Sequence, residues 1–316
     1  MKQLGLFTDA APRPLPHLEA DARLAARLPA WIRPGPSTWT FPGWEGIVFP
    51  AGVTKDELLD RGLGWAARYP LFRTVGIDRS YYAPLDEAEL RRYAAELPPG
   101  FRCLMKAWSA VTTFLDPRSG TANPRFFDAD AFERAVLRPA ARAFQEHLGP
   151  IVLQLAPIAP RDLPHPEAFA ADLDRFLGAL PTALEYAVEL RNPELLTSAY
   201  LAVLGRHRAA HVLSLWERMP RVGRQLAIPG VLAAPFVVCR LSIPPGQRYE
   251  EQREAFAPFD RIVAPDEGTR ADVAALARAC ADQGKKPLYI VVNNKVEGSS
   301  PLTVRALVAR MVAALD

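Results

Sequence analysis

Eight short apolar segments recur along the chain with amphipathic stretches between them, and nearly every one turns polar at its C-terminal end. They run over residues 32–36, 74–78, 102–106, 151–155, 185–191, 212–216, 236–241 and 288–293. Their apolar runs are continuous rather than alternating, which suits strands buried on both faces of a parallel sheet. Helical periodicity fills 55–68, 86–97, 128–147, 166–180, 193–207, 269–283 and 303–315, with Thr54 placed to cap the first of these. The sixth interval, 218–235, is broken by Pro220, Pro229, Gly230 and Pro235 and predicts no long helix. Eight β units with interleaved helices predict an α/β fold, a single (β/α)8 TIM barrel with a closed parallel sheet. An open doubly wound sheet usually has fewer strands and a Gly-rich first turn, which this chain lacks.

The barrel is expected to occupy residues 32–316, after an N-terminal extension over 1–31 that is rich in Pro, Ala and Arg and carries one helical pattern at 17–28. A length of 316 residues suits one barrel domain. The net charge of +3 comes without a dense Lys/Arg run, which argues against a nucleic-acid binder. Cys103, Cys239 and Cys280 have no metal or redox spacing and read as core residues of a reduced compartment. Neither a secretory apolar region nor a stretch approaching membrane-span length occurs, so no membrane partner is expected and the cytoplasm is the default location. The oligomeric state stays open.

Barrel enzymes build their sites at the C-terminal ends of the strands, so the polar tips carry the chemical argument. Asp78 closes the second strand, Lys106 the third, Gln154 the fourth, Glu189 with Arg191 the fifth, Ser214 the sixth, Arg240 the seventh, and Asn293 with Asn294 the eighth. Strand side chains alternate between faces, so Lys106 shares a face with Leu104, Gln154 with Val152, Arg240 with Val238, and Glu189 with Ala187 and Arg191. Buried ions carry a desolvation penalty of several kcal/mol each, which a purely structural core has no reason to accept. Convergence of these tips on one cavity is therefore the expectation that matters most.

Glu189, Lys106 and Asp78 are the candidate catalytic residues. Glu189 reads as a general base or acid or, equally, as a structural partner of Arg191. Lys106 suits a general acid, an anion ligand or a Schiff-base amine, and its alternative is an ion pair with Asp78 or Glu189. Arg191 and Arg240 present forked donors for a carboxylate or phosphate. Gln154, Asn293 and Asn294 suit hydroxyl or amide recognition, although Asn after a strand is also an ordinary turn residue. Tyr81 and Trp39, with Tyr82 and Trp44, offer a stacking wall or simply pin a long loop. The 112–127 connection is long and suits a lid, with disorder as its alternative. No cofactor is predicted. The histidines at 17, 147, 165, 207 and 211 miss the strand tips, which argues against a His-rich metal centre and leaves only a carboxylate-bound Mg2+ on Asp78 and Glu189 open.

Several of these pieces, taken in order, resemble the YecE-like family, a domain-of-unknown-function family of TIM barrels. They are GPSTWTFPGWEGIVFP from Gly35, TVGIDRSYY from Thr74, FRCLMK from Phe101, GPIVLQLAP from Gly149, AVELRN from Ala187, CRL from Cys239 and VNN from Val292. The resemblance implies a barrel with a polar pocket at the strand ends and brings no established reaction with it. It also marks departures. Gly76 stands where the family usually has glutamate, Thr113 where a histidine follows threonine, and Ser242 where a histidine follows Arg-Leu. Asp78 retains an acidic group on the same strand face, nearer the rim.

Three readings follow. The first is a cofactor-independent hydrolase, lyase or isomerase acting on a small polar or anionic substrate. The second, motivated by Gly76, Thr113 and Ser242, is a barrel that binds a ligand without turnover, and a mouth filled by internal salt bridges would favour it. The third and weakest is nucleic-acid processing, motivated by the arginine excess and the aromatics around the mouth.

Overall fold

In a computed structural model that describes residues 17–116 and 118–316, the expected barrel is present. Eight parallel strands, β1 Ile32–Pro36, β2 Gly76–Ile77, β3 Cys103–Lys106, β4 Leu148–Gln154, β5 Tyr186–Glu189, β6 Ala210–Leu215, β7 Val237–Leu241 and β8 Leu288–Val292, are ordered β1-β8-β7-β6-β5-β4-β3-β2. Every strand is thus beside its neighbour in sequence, with β1 returning to β8, as a right-handed βαβ series requires. β1 and β2 close the barrel more loosely than the rest: the Arg73 amide donates to the Pro34 carbonyl at 2.8 Å. A Cβ on Gly35 would stand 1.7 Å from the Thr74 carbonyl oxygen, so only glycine permits this approach.

Two apolar layers follow from the strand period of two. Leu104, Val152, Ala187, Val212, Val238, Tyr289 and Val291 fill the barrel interior, while the alternate residues pack under the helices. Moving two residues along each interior row leads from Leu104 to Lys106, from Val152 to Gln154, from Ala187 to Glu189 and from Val238 to Arg240. The polar tips therefore crown the interior stack.

The helices start where capping residues stand. Thr54 and Glu57 form a reciprocal capping box at the start of helix α2, Lys55–Arg68, and Asp86 caps α3, Glu87–Glu96. Helix α1, Leu18–Arg27, lies on the outer wall, where Asp21 accepts two bonds from Arg305 of the Ser300–Leu315 helix and one from Tyr69. Residues 1–16 of the expected extension fall outside the described residues. No described helix is long and apolar enough to cross a membrane. The three cysteines are buried and free.

Four local expectations change. β2 is shorter than 74–78, because Asp78 opens a 3-10 turn, Asp78–Tyr81, held by Ser80 donating to the Ile77 and Lys106 carbonyls at 2.7 Å. The helix expected over 128–147 is broken into Ala129–Phe132, a π turn Glu133–Leu137, Arg138–Ala143 and a 3-10 turn Gln145–His147. Pro139 has no amide to donate, and the wider turn before it accommodates the loss. The helix expected from residue 193 begins at Ser198, capped by Thr197, after a 3-10 turn Pro193–Leu195. A charged helix that apolar periodicity did not reveal, Tyr249–Phe256, follows β7.

Candidate functional site

The interior row above the apolar core ends in a chain of ions. Lys106 at the end of β3 places its Nζ 3.0 Å from Asp78 Oδ1. Arg240 from β7 reaches across the barrel, donating through Nη1 to Glu189 Oε2 of β5 and to Gln154 Oε1 of β4 at 3.0 Å. Its Nη2 lies 3.4 Å from Asp78 Oδ1. The second Glu189 oxygen faces Arg191 Nη2 at 2.7 Å. The Arg191 guanidinium lies over Trp216, its Cζ 3.6 Å from the ring centroid. Tyr81 sits beneath Lys106, 5.3 Å from Nζ to the ring centroid. Residues separated by as many as 162 positions thus meet in one mouth.

Burial grades this cluster. Glu189 is 0% exposed and the Arg191 and Arg240 side chains 4% and 5%, whereas the Lys106 and Asp78 side chains keep 13% and 27%. Asp78 and Lys106 are therefore the parts of the ion chain most open to solvent. Burial alone would raise the Glu189 carboxyl, but Arg191, Arg240 and Lys106 together outweigh it and hold the group below its usual range. Desolvation pushes the Lys106 ammonium down to about 8 against the pull of Asp78, with Arg240 adding to the depression. Three cations meet two carboxylates here; Arg191 Nη1 is buried with no acceptor, and Glu189 Oε1, although 2.7 Å from Arg191 Nη2, is buried with no hydrogen-bond donor. The cluster carries one cation more than it has carboxylates.

Asn293 lies in the strand-end layer, donating to Ser37 at 3.1 Å and accepting from the Lys295 amide. Asn294 does not serve the mouth. Its side-chain oxygen accepts from Trp44 Nε1 at 3.1 Å and from the Ser300 amide at 2.7 Å, so it pins the aromatic loop to the start of the last helix. Trp39 is likewise elsewhere, packed edge-on against Tyr93 of α3 with ring centroids 5.4 Å apart. Tyr82 is 78% exposed at the rim, and Trp44 is wholly buried. The expected lid is anchored at its base: Phe126 stacks on Phe127 and Phe127 on Phe176, with centroids 4.0 and 4.8 Å apart. Its Pro117 lies outside the described residues.

Three contributors escaped sequence reasoning. Trp216 follows β6 two residues after Ser214, so the strand period already put it in the mouth-facing row. Lys295 stands beyond Asn293 and Asn294 in a lysine-poor chain, and Tyr249 opens the unexpected helix after β7. Gly76 has a physical reason: a Cβ there would meet Ser37 backbone atoms at 3.2 Å and Val291 at 3.3 Å, so the barrel seam leaves no easy room for a side chain.

Fold and mouth together define a (β/α)8 barrel with an ionic cluster at the C-terminal ends of its strands. Residues 33–315 match the family described as protein of unknown function DUF72, and the chain belongs to that family. Among solved structures it is similar to a DUF72 family protein of Thermotoga maritima MSB8, with a TM-score of 0.58 and 19% identity, covering 89% of this chain and 99% of that one. A DUF72 family protein of Enterococcus faecalis V583 gives a TM-score of 0.55 and 14% identity, with 90% and 95% covered. At these identities the likeness is one of fold. No curated protein matches the chain.

Proposed function

We propose that the barrel mouth binds a small anionic molecule and carries out proton transfer on it, with Lys106 as the proton carrier and Asp78 as the carboxylate that sets its orientation. The observation that carries this reading is the Lys106–Asp78 pair, 3.0 Å apart and partly open, set in a cluster with one more cation than carboxylate. An amine that titrates near 8 exchanges its proton readily near neutral pH, as acid–base catalysis needs. Arg191 and Arg240 stabilise negative charge on the ligand, and Gln154 and Asn293 orient its polar groups. Glu189, clamped between two arginines and fully buried, has a holding role: it fixes both guanidinium planes instead of moving a proton.

This reading uses no metal. A Mg2+ ion between Asp78 and Glu189 would have to displace Arg240 from both carboxylates and sit against two further cations. The ordered motifs from Gly35 to Asn294 support placing the chain in the YecE-like branch, and three singly buried thiols support the cytoplasm as its location.

The test is a titration with inorganic phosphate and acetate, followed by a panel of small acids and phosphoesters, on wild type, Lys106→Ala and Glu189→Gln. Anion binding and turnover should both be lost in Lys106→Ala; turnover unchanged in that variant removes Lys106 from the chemistry. A second reading, binding without turnover, is favoured by one observation: Asp78, Glu189, Lys106 and Arg240 already neutralise most of one another inside the mouth. It expects thermal stabilisation by an anion with no product from any substrate of the panel.

A further inference from the structure

Lys295, directly after β8, is a cation that the ion chain leaves out. It lies in the 3-10 turn Asn294–Val296 and is 3% exposed. Among the described residues its ammonium has neither a carboxylate within salt-bridge distance nor a hydrogen-bond acceptor. What it has are aromatic faces: Tyr249 at 3.9 Å and Phe259 at 5.8 Å from Nζ to the ring centroids. Rings attract a cation but fill none of its three donor positions. Lys106, by contrast, has its carboxylate. With its stem buried and no acceptor of its own, this ammonium keeps its donor positions free for an arriving anion.

Its surroundings connect it to the mouth already described. Asp78 acts electrostatically on both Lys106 and Lys295, and on both rim tyrosines, Tyr82 and Tyr249. Asp78 is paired with Lys106 at 3.0 Å, and the Lys295 amide donates to Asn293 of the strand-end layer at 3.1 Å. Glu250 and Arg253 of the Tyr249–Phe256 helix are the other charges facing Lys295, and their signs oppose. Tyr82 is 78% exposed and Tyr249 40% exposed, so both rings are reachable from solvent.

We propose that Lys295, held against Tyr249 and Phe259, is a second anion position of the same mouth, and that the ligand is a small molecule carrying two anionic groups on a short spacer. One group meets Lys106 and the arginines, the other meets Lys295. This rests on the anion-binding reading above and narrows its ligand class. β7 and β8 supply the loops that hold Lys295 and Tyr249, a place where barrels commonly seat an anionic group.

The experiment is a calorimetric titration with acetate as the single-anion probe and with malonate, succinate, glutarate and adipate as two-anion probes. Linking two anions makes the second contact intramolecular, so the best dicarboxylate should bind about tenfold or more tighter than acetate. Lys295→Met, which keeps the apolar stem, should abolish that preference and leave acetate affinity within about twofold of wild type. Lys295→Arg should retain part of the preference. Tyr249→Ala gives an independent arm on an exposed helix and should weaken the dicarboxylate more than acetate. Acetate binding with no dicarboxylate preference, or a preference that survives in Lys295→Met, overturns the second position alone. Failure of acetate and all four dicarboxylates to bind overturns the anion-binding reading and this inference together.

Discussion

Two buried ionic clusters occupy different parts of this barrel and are built to different standards. On the outer wall, the Asp21 carboxylate takes a bidentate fork from Arg305 at 2.8 and 2.7 Å and a third bond from Tyr69 at 2.6 Å. Close by, the Arg73 guanidinium donates to the Ala25, Leu28 and Pro29 carbonyls at 2.7 to 3.0 Å. One carboxylate meets one guanidinium, and the remaining donors find backbone oxygens. In the mouth, two carboxylates are shared among Lys106, Arg191 and Arg240, an Arg191 donor has no acceptor, and Lys295 stands apart. On the outer wall these donors each find an oxygen, whereas the mouth leaves an Arg191 donor without one, and the anion-binding proposal rests on that difference.

The largest expected effect tests that contrast directly. Glu189→Gln removes the shared partner of two buried guanidinium groups and should destabilise the fold by about 3–5 kcal/mol in urea unfolding. Inorganic phosphate should recover part of that loss, because an anion can replace the missing charge; no recovery would mean the mouth is as closed as the outer wall. Asp21→Ala should lower stability by about 2–3 kcal/mol by stranding the Arg305 fork. Phosphate should leave that variant's melting temperature shifted no more than the wild type's. Phosphate rescue of Asp21→Ala would erase the distinction.

Lys106→Met should change stability by less than about 1 kcal/mol, since losing the Asp78 contact is offset by no longer burying a charge. Anion binding should nevertheless disappear. The last effect is in pH. Burial brings the Lys106 ammonium from 10.5 to about 8, so between those values the unfolded chain holds a proton that the folded chain has released. Stability should therefore rise with pH across this window and anion affinity fall. Lys295, lowered to about 8 as well, acts with the same sign. Lys106→Met should flatten part of the rise in urea melts from pH 7 to 10. A slope identical to wild type would show that Lys106 is not desolvated.

How much of this the sequence disclosed depends on whether a strand's period or a packing choice decides the matter. Leu104 to Lys106, Val152 to Gln154 and Val238 to Arg240 are each one period along an apolar row, so the mouth could be read from alternation alone. Asn293 and Asn294 show the limit. Adjacent residues point in different directions, and no local signal says that the first joins the strand-end layer while the second holds Trp44 and Ser300. Trp39 went to Tyr93 for a similar reason: an aromatic loop residue packs wherever a helix offers a ring. Tyr249–Phe256 lacks an apolar stripe because most of it faces solvent, which left periodicity nothing to register.

The narrow seam between β1 and β2 bears on how such a chain could change its chemistry. Gly35 and Gly76 let the two strands touch, and a side chain at either would act as a wedge. A glutamate at position 76 would need Ser37 and Val291 to give way by a few tenths of an ångström before its carboxylate could enter the interior, so an acidic group is admitted more easily just past the strand, where Asp78 opens its 3-10 turn.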